Sequence, residues 1–92
     1  RISELFSESN YLNESQWNEV ILHYDRINDD FTKQVTQRYE RITKEDIKLL
    51  ILIKMGFLNK QISVIRATTV DSTKKAKQRL RAKLGIKDLY RL

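Results

Sequence analysis

The 92-residue chain contains no cysteine, no proline, one histidine and only two glycines. Without cysteine, disulfides and thiolate metal sites are excluded, and one imidazole leaves a conventional zinc site short of ligands. The lack of cysteine also fits a reducing compartment. The missing prolines and scarce glycines argue against a turn-dense sheet protein and for helices joined by short connections. Long apolar runs are absent too: the longest, LLILI at residues 49–53, is five residues, whereas a bilayer span needs roughly 18. There is no signal-peptide pattern, internal repeat or low-complexity tract. One domain of this length holds a single helical core but not a core plus an elaborate catalytic cleft. A chain that opens on Arg1 is expected to be a piece of a longer protein.

Charge is abundant but unevenly placed. Residues 1–70 carry ten basic and ten acidic side chains, whereas residues 71–92 carry eight basic and two acidic, so the whole net charge of +6 lies in the last quarter. The stretch DSTKKAKQRLRAKLGI at residues 71–86 alone holds six cations. Such asymmetry points to a polyanionic partner that meets one end of the molecule.

The helix start signals are legible. Asn13 stands as an N-cap with Gln16 placed to reach back as in a capping box, and Leu12 faces Trp17 as a hydrophobic staple. Trp17, Val20, Ile21, Tyr24 and Ile27 then recur at helical spacing. Asp29 and Asp30 favour the positive end of a second helix, in which Phe31, Val35 and Tyr39 share one side. The start grammar repeats at Thr43, with Asp46 at the third helical position and Ile42 stapled to Ile47, and predicts a third helix over about residues 44–55. Its LLILI run covers every side of a helix and requires the first two helices to lie on it. Ile51 in particular would face water in an isolated unit. Gly56 supplies a left-handed stop. A short fourth helix opens at Leu58 or Asn59 and runs to about Arg66, and Thr68 or Thr69 caps a fifth that ends at Gly85.

A short helix, a turn of about three residues and a longer basic helix form the arrangement of a helix-turn-helix, whose second helix enters the major groove of DNA. The spacing places Val70, Thr73, Ala76 or Lys77, Leu80 and Leu84 on the inner face of the long helix. Ser72, Lys74, Lys75, Gln78, Arg79, Arg81 and Ala82 fall outside. Only Asp71 is acidic within this helix, so the outer charges are not a salt-bridge lattice. Lys and Arg also complement a helix C-terminus, but here the cations begin in the N-terminal turns, where the dipole opposes them. The other polar residues have plainer readings. His23 is a surface residue with no catalytic neighbours in spacing. Asp25, Asp29 and Asp30 lack the glycine and terminal glutamate of a calcium loop and read as capping groups. Trp17, Tyr24, Phe31 and Tyr39 follow the helical period and read as core or dimer interface rather than a base-stacking platform.

Ile42-Thr43 followed by Asp46, Leu49-Leu50, Leu52-Ile53, Gly56-Phe57, Asn59-Lys60-Gln61-Ile62, Ser72-Thr73-Lys74 and Lys83-Leu84-Gly85-Ile86 together resemble the LuxR/GerE-type helix-turn-helix of bacterial transcription regulators. The resemblance runs without a gap over residues 42–86. The piece KKAKQRLRAKLGI is similar to the variant at the C-terminus of regulators that carry TPR repeats, a membrane span and a coiled coil upstream. Four places depart from the pattern: Lys44 stands for the usual Pro, Asp46 for Glu, Arg66-Ala67-Thr68 for Leu-Gly-Ile, and Thr73 for Val. A left-handed Ala67 in place of glycine costs on the order of 1 kcal/mol.

The resemblance implies an all-α fold, a helix-turn-helix bundle of winged-helix-like or LuxR type with two additional N-terminal helices. Residues 1–41 would be a helical extension that packs on the core or forms a dimer interface, and residues 42–92 the DNA-binding domain. It implies that Lys74, Lys75 and Gln78 face base edges, with Gln pairing to adenine and Lys to guanine. Asn59 and Lys60 match the segment that contacts phosphate, and Thr69, Ser72, Arg79 and Arg81 would hold the backbone on either side of the groove. The implied partner is double-stranded DNA; because one module presents only three or four readers, a second copy of the chain on a second half-site is expected, and RNA polymerase is a further expected partner. The implied compartment is the cytoplasm, on the inner side of a membrane-tethered regulator, with no membrane contact by this part. No cofactor, metal or enzymatic role is expected. Two rival classes remain open: a promoter reader like sigma-factor region 4, and a helical interaction module whose basic face binds an acidic protein.

Overall fold

The computed structural model describes residues 11–92, so the first ten residues of the expected N-terminal extension lie outside the described residues. The described residues form five α-helices and one 3-10 turn: α1 Glu14–Ile27, α2 Phe31–Arg38, α3 Lys44–Lys54, α4 Asn59–Ile65, α5 Val70–Leu84 and the turn Leu89–Arg91. No strand, and so no β-hairpin wing, occurs among them. None of these helices is long and apolar enough to cross a membrane.

Both expected capping boxes are present. Asn13 Oδ1 accepts from the Gln16 N–H at 2.8 Å while Gln16 Oε1 accepts from the Asn13 N–H at 2.9 Å. At α3, Thr43 Oγ1 accepts from the Asp46 N–H at 3.1 Å and Asp46 Oδ2 accepts from the Thr43 N–H at 3.0 Å. Each pair satisfies two amide donors that a helix start leaves without internal partners. The α2 start differs from expectation. Asp29 and Asp30 both have positive φ, and Asp30, at the N-cap, makes no side-chain cap. Asp25 caps instead from the last turns of α1, its Oδ1 accepting from both the Thr32 N–H (2.8 Å) and the Thr32 hydroxyl (2.9 Å). The left-handed pair folds α2 back so that a carboxylate seven residues upstream reaches its N-terminus.

Helix α3 is the axis of the core. Residues 47–53 are all buried, Lys48 included, and Leu50, Ile51 and Leu52 are wholly so. Full burial of one such side chain is worth roughly 1.5–3 kcal/mol. Trp17 and Val20 of α1, Phe31 and Val35 of α2, Ile62 and Ile65 of α4, and Leu80 and Leu84 of α5 belong to the same apolar cluster. The two N-terminal helices therefore share one core with the rest. Tyr24 meets Phe31 edge to face, 5.3 Å between centroids. Ile27, read from its spacing as apolar-face, is exposed.

Lys48 enters this core because both ends of its charge are met. Its Nζ lies 5.4 Å from the centre of the Trp17 ring and donates to Glu14 Oε2 and Glu45 Oε1, each at 3.2 Å. Lys44 also donates to Glu14. Hydrogen bonds from Lys44 and then Lys48 hold the Glu14 carboxyl below the usual glutamate range. At the far end of α3, Gly56 takes a φ of +87°, the Phe57 N–H donates to the Leu52 carbonyl and the Gly56 N–H to the Ile53 carbonyl. This double bond pattern closes the helix and turns the chain toward α4.

Candidate nucleic-acid interface

Helix α5 starts at Thr69, whose Oγ accepts from the Ser72 N–H at 3.0 Å. It ends at Gly85, φ +68°, where the Ile86 N–H donates to the Arg81 carbonyl. Its inner face is narrow. Thr73, Leu80 and Leu84 are buried and Ala76 is partly so, while Val70, read as inner, is exposed. Thr73 is wholly enclosed, yet its hydroxyl donates to the Thr69 carbonyl at 3.0 Å, so a threonine sits where an apolar residue would without leaving a polar group unpaired. Among the described helices, α4 and α5 pack on each other most extensively.

The outer face carries Lys74, Lys75, Gln78, Arg79 and Ala82, all exposed. Lys74 and Gln78 stand one turn apart, as do Lys75 and Arg79, giving two parallel polar ridges. None of Lys74, Lys75 and Arg79 forms an ion pair among the described residues. Lys77 and Arg81 flank this face and are half-buried. Burial, then the neighbouring Arg81 charge, lowers the Lys77 pKa from the ordinary lysine value. The last cation of the helix, Lys83, does have a partner: its Nζ donates to Asp46 Oδ2 at 2.6 Å.

The residues expected at phosphates are not equivalent. Lys60 is exposed beside the α4 start, whereas Asn59 is half-buried and its Oδ1 is enclosed with no hydrogen-bond partner among the described residues. Thr69 and Ser72 are exposed, and the Thr69 hydroxyl donates to Ser72 Oγ at 3.0 Å, which commits its proton and leaves that of Ser72 available. Arg79 projects freely and Arg81 lies at the edge of the face. Lys74, Lys75, Gln78, Arg79 and Ser72 thus share one continuous surface. Asn59 does not offer its amide oxygen to it.

The turn before α5 has the geometry that the sequence made costly. Ala67 has a φ of +53°, the Thr68 N–H donates to the Ser63 carbonyl at 2.8 Å and the Ala67 N–H to the Val64 carbonyl at 3.1 Å. These bonds hold α4 and α5 at a fixed angle through an alanine in a conformation that favours glycine. Arg66, just before it, is half-buried, with Nη1 enclosed and unpartnered among the described residues.

Sequence reading passed over a second group of cations. Arg38, Arg41, Lys87 and Arg91 come together around Tyr39 from positions roughly fifty residues apart, at the end of α5 remote from Thr69. Charge count alone gives no sign of this, because it depends on how residues 85–92 fold back. They do so because Leu89 is buried and Lys54 Nζ donates to the carbonyls of Tyr90 (3.1 Å) and Leu92 (2.6 Å). Comparison with family models, curated proteins and solved structures finds no match to this chain.

Proposed function

We propose that this domain binds double-stranded DNA with α5 in the major groove, as the output module of a bacterial transcription regulator. One observation carries the reading: a helix whose inner side is fixed in the core presents Lys74, Lys75, Gln78 and Arg79 outward, exposed and without acidic partners among the described residues. A solvated structural helix mixes charges of both signs in about equal number, whereas this face carries one acid, Asp71, a turn before Lys74 and Lys75 and in no ion pair with either among the described residues. Gln78 matches the paired donor and acceptor of adenine, and Lys74 and Lys75 the two acceptors of guanine. Arg79, Arg81, Lys60 and the Ser72 hydroxyl would contact phosphate, which fixes position without reading sequence.

Reading α4 and α5 as a helix-turn-helix is supported by the left-handed turn at Ala67 between them and by their packing on each other. The family resemblance of residues 42–86 adds the regulator role and the cytoplasmic setting, and a contact with RNA polymerase is the further partner that a promoter reader would have. One module offers three or four base readers, so two copies on two half-sites are proposed. The rival reading, a basic face on an acidic protein, draws on the same charges and has no observation of its own.

Fluorescence anisotropy with a labelled duplex of random sequence, titrated across a salt series, tests the first step. The reading expects binding whose log K falls steeply with log salt, by about 0.9 for each phosphate neutralised. Binding to an acidic polypeptide that duplex DNA fails to displace would overturn it.

A further inference from the structure

We infer that the cleft around Tyr39, between residues 38–42 and the chain beyond α5, is a second phosphate-binding surface that holds the DNA backbone flanking the base pairs read by α5. This rests on the major-groove reading and extends it, because it brings α2 and the C-terminal turn into the same interface.

Two adjoining depressions meet at Arg38 and Tyr39. One, about 470 Å³, is lined by Lys87 and Arg91 together with Ile86 and Leu92. The other, about 270 Å³, is lined by Arg41 and by Lys83 of α5 itself. The cleft therefore begins where the basic helix ends.

The charges are unevenly committed. Lys83 is held by Asp46, and Arg91 Nε lies 3.5 Å from Asp88. Arg38, Arg41 and Lys87 are exposed and form no ion pair among the described residues. The acids that line the two depressions are Glu40 and Asp88, and Asp88 Oδ1 already accepts from the Tyr90 N–H. The Arg38 guanidinium lies over the Tyr39 ring, 5.6 Å from its centre, which orients the guanidinium while leaving N–H groups at its edge free to donate.

Length decides which polyanion fits. The fifteen residues of α5 extend about 22 Å, whereas the major groove is about 12 Å wide. With its N-terminal half on base edges, the other end reaches the sugar-phosphate rim, where Lys87, Arg38 and Arg41 wait. Lys87 and Arg41 line different depressions, with Arg38 shared between the two, an arrangement that suits a backbone of successive phosphates.

The test compares two duplexes that share one selected core site, one ending at the core and one with long flanks. Wild-type protein is set against a triple variant, Arg38→Gln, Arg41→Gln and Lys87→Gln, and against Gln78→Ala. On the long duplex the triple variant is expected to lower the salt slope by about 2–3 and to weaken binding roughly tenfold or more at moderate salt, with base preference kept. On the short duplex it should match wild type. An unchanged slope on the long duplex, or an equal loss on both, would overturn the inference while leaving the groove reading intact. If Gln78→Ala leaves base preference unaltered, or wild type binds neither duplex, the groove reading fails and the inference with it. Thermal melting by circular dichroism checks the fold; should the triple variant unfold, Lys87→Gln alone is expected to reduce the slope by about 1 on the long duplex only, and no reduction overturns the inference.

Discussion

The Lys83 ammonium lies 2.6 Å from the Asp46 carboxylate, tying the last turn of α5 to the first turn of α3. Asp46 is the same side chain that closes the Thr43 capping box, so one carboxylate starts the central helix and anchors the basic one. Burial raises its pKa, but the Lys83 hydrogen bond and the Thr43 N–H and hydroxyl together outweigh this and leave it below the ordinary aspartate value.

The pH dependence follows from that direction. A carboxyl whose folded pKa is depressed binds protons more readily in the unfolded chain, so its contribution is whole above the ordinary aspartate pKa and lost as pH falls through the lower folded value. Asp46→Ala is expected to cost about 1–2 kcal/mol at neutral pH, with the difference from wild type shrinking in acid. Urea denaturation at neutral and acidic pH measures it, and a gap that stays constant with pH would contradict the assignment.

Ala67→Gly should stabilise the fold. The positive φ at Ala67 costs about 1–2 kcal/mol for a residue with a Cβ, and the extra freedom of glycine in the unfolded chain returns part of that. A net gain of about 0.5–1 kcal/mol is expected from chemical denaturation. Because Ala67 is exposed, no packing is lost to obscure the result. A destabilised variant would mean that the backbone there is not left-handed.

Lys48→Met should be nearly silent, although Lys48 is buried and doubly paired. Its side chain is 8 % exposed, whereas the Glu14 and Glu45 side chains are 62 % and 66 % exposed. Removing the ammonium therefore leaves no carboxylate stranded out of water, and a methionine of similar reach still packs on Trp17. The variant should stay within about 1 kcal/mol of wild type, whereas Trp17→Ala, which empties the α1–α3 contact, should cost about 3–5 kcal/mol. A large loss for Lys48→Met would show that the charge itself holds the helices together.

What could be read in advance was local. The boxes at Asn13 and Thr43, the stops at Gly56 and Gly85 and the strained Ala67 each lie within a few residues of their partners, so the sequence carries the whole motif. The outer face of α5 was legible for the same reason, since helical period alone places Lys74, Lys75 and Gln78 together. Contacts that depend on distant chain were not. Asp25 caps α2 because two left-handed residues fold the chain back, and residues 85–92 fold back because Leu89 is buried and Lys54 fastens residues thirty-six and thirty-eight positions further on. Likewise, nothing in the spacing of Asn59 or Thr69 tells that one side-chain oxygen is enclosed and the other hydroxyl committed to Ser72.

Base reading by α5 is tested by selection of sites from a random duplex library, with the enriched sites retested for wild type and Gln78→Ala across a salt series. A groove reader gives a recovered motif that Gln78→Ala weakens at one base position by about 1–3 kcal/mol while the salt slope is unchanged. No motif, with binding that merely fades as salt rises, would contradict it and reduce the basic helix to a general polyanion surface.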